Sequence, residues 1–173
     1  MKARNYYSDK SLDYGISKRR KEAIIALLED IKNTTVLDVG CSTGYLGKEF
    51  INRGAKVYGI DISKKALNEA RKVLTMVNLI DLNKQKLPFS RGQFDLIVAS
   101  EVIEHLQNPL SALKELNRVL KNNGDLIITT PNFLYWGNRI KFLKGKFAYE
   151  KIGMFDEGHV HFYTYDSLRN DLE

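Results

Sequence analysis

Five short, almost uninterrupted apolar runs, separated by stretches of helical periodicity, constrain this chain more than any other feature. Residues 36–39, 56–60, 77–80, 94–99 and 126–129 read as strands, and their near-uniform apolarity means that both faces of each are covered. Between them lie amphipathic stretches. Residues 17–32 carry Ile24, Ile25, Leu27, Leu28 and Ile31 on one stripe, and residues 45–53 form a helix that Gly54 stops. Ser63 caps a helix through Ala66, Leu67, Ala70, Val73 and Leu74. Asn108 and Pro109 open another, with Leu110, Leu113, Leu116, Val119 and Leu120 on its apolar side and Gly124 ending it. Strand and helix in strict alternation predict an α/β fold of three layers, a mostly parallel sheet with helices on both faces.

The 173 residues fit one domain. With 43% hydrophobic and 28% charged residues the composition is that of a soluble globular protein. No apolar run approaches the roughly 20 residues that span a bilayer, and the first residues contain no apolar signal core. The single cysteine, Cys41, rules out an intrachain disulfide and suits a reducing compartment, so a cytoplasmic location is expected. A net charge of +6 favours acidic partners such as nucleic acid, phosphorylated metabolites or an anionic membrane surface. Most of the basic residues fall on helix faces that water would solvate; the exception is the segment after Pro131.

Open parallel sheets bind ligands outside the carboxyl ends of their strands. The first strand ends in Val36-Leu-Asp-Val-Gly-Cys-Ser-Thr-Gly44 and runs straight into a helix. Gly40 and Gly44 let the backbone turn tightly there. The second strand ends at Asp61, placed to accept both hydroxyls of a ribose. The spacing Gly-x-x-x-Gly is not the Gly-x-Gly-x-x-Gly of dinucleotide binders. Asp38 would repel a pyrophosphate but suits the ammonium of an amino-acid ligand, directly or through water. S-adenosyl-L-methionine has that ammonium, a ribose and no phosphate. The two carboxylates therefore favour it over a nicotinamide dinucleotide.

The segment from Val36 to Gly44 resembles motif I of the class I (Rossmann-like) S-adenosylmethionine-dependent methyltransferases, with Ser42 where glycine is commonest. The similarity continues through Tyr58-Gly-Ile-Asp61-Ile-Ser, Asp81-Leu82, Leu87-Pro-Phe89, the run from Phe94 to Leu106, and Leu120-Lys-Asn-Asn-Gly124. It covers about residues 17–132, with the motifs in order. It implies that the loop of Asp38, Gly40, Cys41 and Gly44 holds the methionine part of the cofactor. Asp61 would hold the ribose, with Ile62 against the adenine. Asp81 would receive the adenine amino group and the Leu82 amide would meet the ring. Ser100 and Glu101 would lie beneath the sulfonium. Members of the family usually have seven strands, so the ending of residues 165–173 in a helix leads us to expect that the C-terminal strands are missing and the domain truncated.

In Glu101-Val-Ile-Glu104-His105, a helical backbone would put Glu101 and His105 on one face. His159 and His161 follow later. Two carboxylates and two imidazoles could bind a divalent metal, and small-RNA 2′-O-methyltransferases and ubiquinone-pathway O-methyltransferases have similar arrangements. We nevertheless assign no metal ligand: a structural or substrate-orienting role is preferred. His105 is the expected general base, with Glu101 assisting, because its unperturbed pKa suits proton removal near neutrality.

Residues 132–163 interleave Phe133, Leu134, Tyr135, Trp136, Phe142, Phe147 and Tyr149 with Arg139, Lys141, Lys144, Lys146 and Lys151. This segment, within a substrate-side region of residues 132–173, would select the acceptor. Its aromatics could stack on a planar or sugar substrate, and its cations could meet phosphate or a membrane surface. A strand at residues 161–163 and a helix near Asp166 are expected. Tyr6, Tyr7 and Tyr14 would form a cover in residues 1–16 over a cofactor core of residues 17–131. The expected function is methyl transfer from S-adenosyl-L-methionine to a small-molecule or lipid-precursor acceptor, with oxygen the acceptor atom. The alternatives are an RNA 2′-O-methyltransferase with a Glu/His metal site and a noncatalytic cofactor-binding subunit. Nucleic acid is not the favoured partner, peripheral membrane contact is compatible with the charge, and the sequence leaves the oligomeric state open.

Overall fold

The computed structural model describes residues 17–146 and 155–173. The proposed tyrosine cover and the residues Phe147, Tyr149 and Lys151 lie outside them. Five strands form one sheet: β1 (Thr35–Val39), β2 (Lys56–Asp61), β3 (Met76–Leu79), β4 (Phe94–Ser100) and β5 (Leu120–Thr129). Their order is β3-β2-β1-β4-β5, and every neighbouring pair is parallel. The chain leaves β1 toward β2 and β3, then returns to β4 on the other side. That reversal opens a crevice at the carboxyl ends of β1 and β4.

Successive side chains of a strand point to opposite faces, and the two cores follow this rule. Val36, Val57, Leu96 and Val98 pack on one side against Ile24, Phe50, Leu67 and Leu74. Leu37, Val39, Ile60, Ile97 and Ala99 pack on the other with Leu116 and Val119. The three-layer α/β architecture expected from the alternation is the one observed.

The helices are α1 (Lys18–Ala26), α2 (Tyr45–Asn52), α3 (Lys64–Ala70), α4 (Pro109–Val119), α5 (Trp136–Leu143) and α6 (Tyr165–Leu172). Side-chain caps set their starts: Ser17 accepts from the Arg20 amide, Ser63 from Ala66 and Asn108 from Ser111. Among the described residues no helix is long and apolar enough to cross a membrane.

Three expectations need correction. Helix α1 stops at Ala26 rather than residue 32: the Leu27 and Leu28 amides close back on the Ile24 and Ile25 carbonyls, and beyond them Asp30 accepts the Lys32 amide and Asn33 turns through a left-handed φ of 61°. That turn delivers Ile31 to the core. Helix α4 ends at Val119, so Gly124 lies within β5 and does not terminate a helix. A Cβ there would stand 2.8 Å from the Asp95 carbonyl oxygen, so glycine marks a close backbone approach in the sheet. Residues 161–163 form no strand; a single parallel bridge joins Asn132 to Tyr163.

Candidate active site

The loop after β1 makes three left-handed steps, at Gly40 (φ 71°), Ser42 (48°) and Gly44 (82°). The Gly40 and Cys41 amides both donate to the Ile60 carbonyl, at 2.8 and 3.0 Å. The ends of β1 and β2 are thereby tied together. Ser42 holds a conformation that disfavours any side chain by about 1 kcal/mol, which accounts for glycine being commonest at the matching motif position.

Asp61 closes this loop. One carboxylate oxygen accepts from the Ser42 amide at 2.8 Å, the other from Ser63 at 2.7 Å. Burial raises its pKa, and these backbone amides oppose the rise. Each oxygen retains acceptor capacity beyond its amide.

Asp38 lies beneath the loop, 3% exposed. Gly44 begins α2 without a side-chain cap, and the Gly47 amide in the helix's first turn favours the charged form of the Asp38 carboxylate. A negative charge is favourable at that helix end. The second oxygen, Oδ2, is buried with no hydrogen-bond partner. Burial first, and the Asp61 charge second, push the carboxyl up to about 7. Gly47, which sequence reasoning passed over, makes room: a Cβ there would stand 3.1 Å from Oδ2 and 2.6 Å from Leu74. Cys41 is buried too, and burial pushes its thiol well above the ordinary range, which suits a packing residue and not a nucleophile.

At the ends of β2 and β3 is a pocket of about 230 Å³ lined by Ile62, Leu79, Ile80, Asp81 and Gln85. Two of the residues expected at the adenine, Ile62 and Asp81, line it. Leu82 packs partly buried against the second core. The Asp81 carboxylate pairs with Lys84 and accepts the Asn83 amide, while the Asp81 amide donates to the Gln85 side chain. Lys84 and Gln85 were not anticipated.

Ser100 and Glu101 sit where β4 ends. The Ser100 hydroxyl is 2.9 Å from that of Thr129, which donates to Glu101 Oε1 at 3.3 Å. Arg20 of α1 reaches Glu101 Oε2 at 2.9 Å. Burial raises the Glu101 pKa, with the Arg20 charge pulling the other way. Neither Arg20 nor Thr129 was foreseen; they come from elements far away in sequence. Glu101 has a φ of 56° and precedes a single 3₁₀ turn, Ile103–His105. The helical i, i+4 pairing of Glu101 with His105 is therefore not formed.

What converges instead is Glu104, His105 and His159, whose ligand atoms all lie within 4.8 Å of one another. Glu104 is 1% exposed, and neither carboxylate oxygen makes a well-formed hydrogen bond, although the Thr130 hydroxyl slightly favours its charge. Burial, then the Glu101 charge, push it up to about 8. The Glu104 carbonyl accepts the amides of Val160 and His161, and His105 Nδ1 lies 3.0 Å from the Gly158 carbonyl. These contacts fold residues 158–161 over the end of β4.

The sequence matches the methyltransferase-domain family over residues 37–128. It is 33% identical over 122 residues to a ubiquinone biosynthesis O-methyltransferase of Nitrosomonas europaea, covering 68% of this chain and 52% of that protein. A malonyl-[acyl-carrier protein] O-methyltransferase of Legionella pneumophila is 37% identical over 100 residues, 55% of this chain and 35% of that one. The chain thus spans about half the length of such relatives or less. Two solved structures share the fold. An S-adenosylmethionine-dependent methyltransferase from Mesorhizobium loti aligns with a TM-score of 0.70 at 20% identity, over 94% of this chain and 81% of that one. One from Archaeoglobus fulgidus gives 0.72 at 19%, over 91% and 67%. With more than half of its residues inside the family match, the chain belongs to the Rossmann-like methyltransferase-domain family.

Proposed function

We propose that this chain binds S-adenosyl-L-methionine and transfers its methyl group to an oxygen of a small-molecule or lipid-precursor acceptor, by direct in-line displacement. The observation that carries the reading is the left-handed glycine turn between Asp38 and Asp61 at the sheet's reversal point. The residues fit the cofactor. The partnerless Oδ2 of Asp38 offers an acceptor for an ammonium through water. Asp61 keeps acceptor capacity for a ribose, Ile62 and Asp81 line the neighbouring pocket and suit an adenine there, and the backbone amide of Leu82, next in the chain, is assigned to the ring. Gly40, Cys41, Gly44 and Ser100 complete the cradle. Residues 17–131 hold the cofactor, and residues 132–173 choose the acceptor.

The cofactor supplies a methyl group already attached to a good leaving group, so the chain's own task is alignment and proton removal. A carbonyl can only accept, so the Gly158 contact keeps the proton on His105 Nδ1 and puts the ring's lone pair on Nε2, the atom we assign to removing the acceptor's proton. Glu101, held by Arg20 and Thr129, orients that hydroxyl. The O-methyltransferase names of the relatives support oxygen as the acceptor atom.

Calorimetry with S-adenosylhomocysteine tests the reading. Binding is expected, with at least a tenfold loss in Asp61→Ala, and labelled cofactor should mark a small molecule in cell extract. Binding of NADH in place of S-adenosylhomocysteine would overturn it. The convergence of Glu104, His105 and His159 favours a second reading, in which those three hold a divalent cation and the acceptor is an RNA 2′-hydroxyl. Chelation that abolishes turnover while S-adenosylhomocysteine still binds would select it.

A further inference from the structure

Helix α5 is apolar on two sides. Its inner side is anchored: Phe142 packs on Phe133 and Phe155 with ring centroids 5.5 and 5.7 Å apart, and the buried Asn138 donates to the Phe133 carbonyl. Its outer side carries Trp136, Ile140 and Leu143 at i, i+4 and i+7, which are 64%, 42% and 87% exposed. Those spacings place the three on one stripe. Leu134 and Tyr135, just before the helix, are 41% and 54% exposed.

The same stretch carries Arg139, Lys141, Lys144 and Lys146, and no acidic residue occurs between Asp125 and Glu150. An exposed apolar stripe with Arg139, Lys144 and Lys146 along the same stretch of chain calls for an occupant that is both apolar and anionic. A helix of eight residues is about 12 Å long and 10 Å wide. Its footprint is far below the roughly 800 Å² per partner of a stable protein interface. A lipid surface has no such minimum, since a few inserted side chains and basic residues act together there.

We propose that the outer face of α5 docks on an anionic phospholipid surface, with Trp136, Ile140 and Leu143 entering the headgroup boundary and Lys144 and Lys146 meeting lipid phosphates. The inference rests on this surface alone and stands or falls independently of methyl transfer.

Trp136 is the chain's single tryptophan, so its fluorescence reports the contact directly. Vesicles containing about one-third phosphatidylglycerol in phosphatidylcholine are expected to shift its emission to the blue, and brominated acyl chains to quench it. Pure phosphatidylcholine vesicles and high salt are expected to leave it near its value in buffer. Lys144→Gln with Lys146→Gln should lower the partition coefficient about 25-fold, roughly fivefold for each charge, and Leu143→Ser should lower it without changing charge. A thermal midpoint matching the parent shows that each variant is folded, and the vesicle-charge comparison on the parent needs no variant. No shift with anionic vesicles, or an equal shift with neutral ones, would overturn the proposal. So would a shift on raising protein concentration without lipid, which marks a second copy, or one seen with single-stranded RNA alone.

Discussion

Asp38→Asn will stabilise the ligand-free protein at alkaline pH and leave it nearly unchanged in acid. The carboxyl is fully enclosed, and burial and Asp61 move it from the ordinary 3.8 to about 7. At about 1.4 kcal/mol per tenfold change in proton affinity, roughly 4 kcal/mol opposes keeping it ionised in the fold. The sign follows from proton counting. Below pH 4 both folded and unfolded chains hold the proton, so the group has no effect. Between about pH 4 and 7 the folded chain keeps a proton that the unfolded chain has released, so stability falls as pH rises. Above 7 the whole penalty is present.

Asparagine cannot ionise, keeps an oxygen facing the Gly47 amide and has nearly the same shape. At roughly 2–4 °C per kcal/mol for a chain of this size, its thermal midpoint at pH 8 should exceed the parent's by as much as about 10 °C. At pH 4 the two should agree within a degree or two. Scanning calorimetry on ligand-free protein at both values decides it. An equal difference at the two pH values would refute the argument, because a penalty for a buried charge must vanish when the charge does. The same variant should bind S-adenosylhomocysteine at least tenfold more weakly, since an ammonium gains less from an amide than from a carboxylate.

Gly59→Ala should cost about 1–3 kcal/mol in urea denaturation, because its Cβ would stand 2.6 Å from Leu74 and 2.7 Å from Cys41 Sγ. Ser42→Gly removes a left-handed side chain and should add up to about 1 kcal/mol, seen as a midpoint raised by a few degrees. Arg20→Ala should lose about 1 kcal/mol, a value kept small by solvent screening of a pair whose side chains are 33% and 21% exposed. Arg20→Lys should restore part of that loss by the same denaturation assay.

The glycine turn and both aspartates were readable in the sequence because their chemistry is local: strand, turn and helix follow one another within a few residues. Thr129 was not, since it reaches Glu101 only through the register of β4 with β5, in which Ser100 pairs with Thr129. That register carries an irregularity between Phe94 and Leu96, beside Gly124. Counting residues along the chain could not have placed it. Arg20 is a similar case: it reads as one more solvated cation on an amphipathic helix until the packing of α1 brings it to the end of β4.

His159 is linked to Glu104 and His105 in the sequence only through a resemblance, because the irregular region that carries it has no pattern to read. Residues 155–163 belong to no strand of the sheet; besides the Asn132–Tyr163 bridge and the amides donated to the Glu104 carbonyl, the packed rings of Phe133, Phe142, Phe155 and Phe162 hold the segment in place. Aromatic packing of this kind has no period along the chain, so the arrival of an imidazole beside His105, at a ring separation of 4.6 Å, depends on contacts made only in three dimensions. It follows that Phe155→Ala, outside the five-stranded sheet but within the ring cluster, is the substitution that separates the two halves of the site. It should loosen His159 from His105 while the cofactor loop, built on β1 and β2, keeps its affinity for S-adenosylhomocysteine. Equal losses in both would mean that the aromatic cluster supports the whole sheet and not the acceptor side alone.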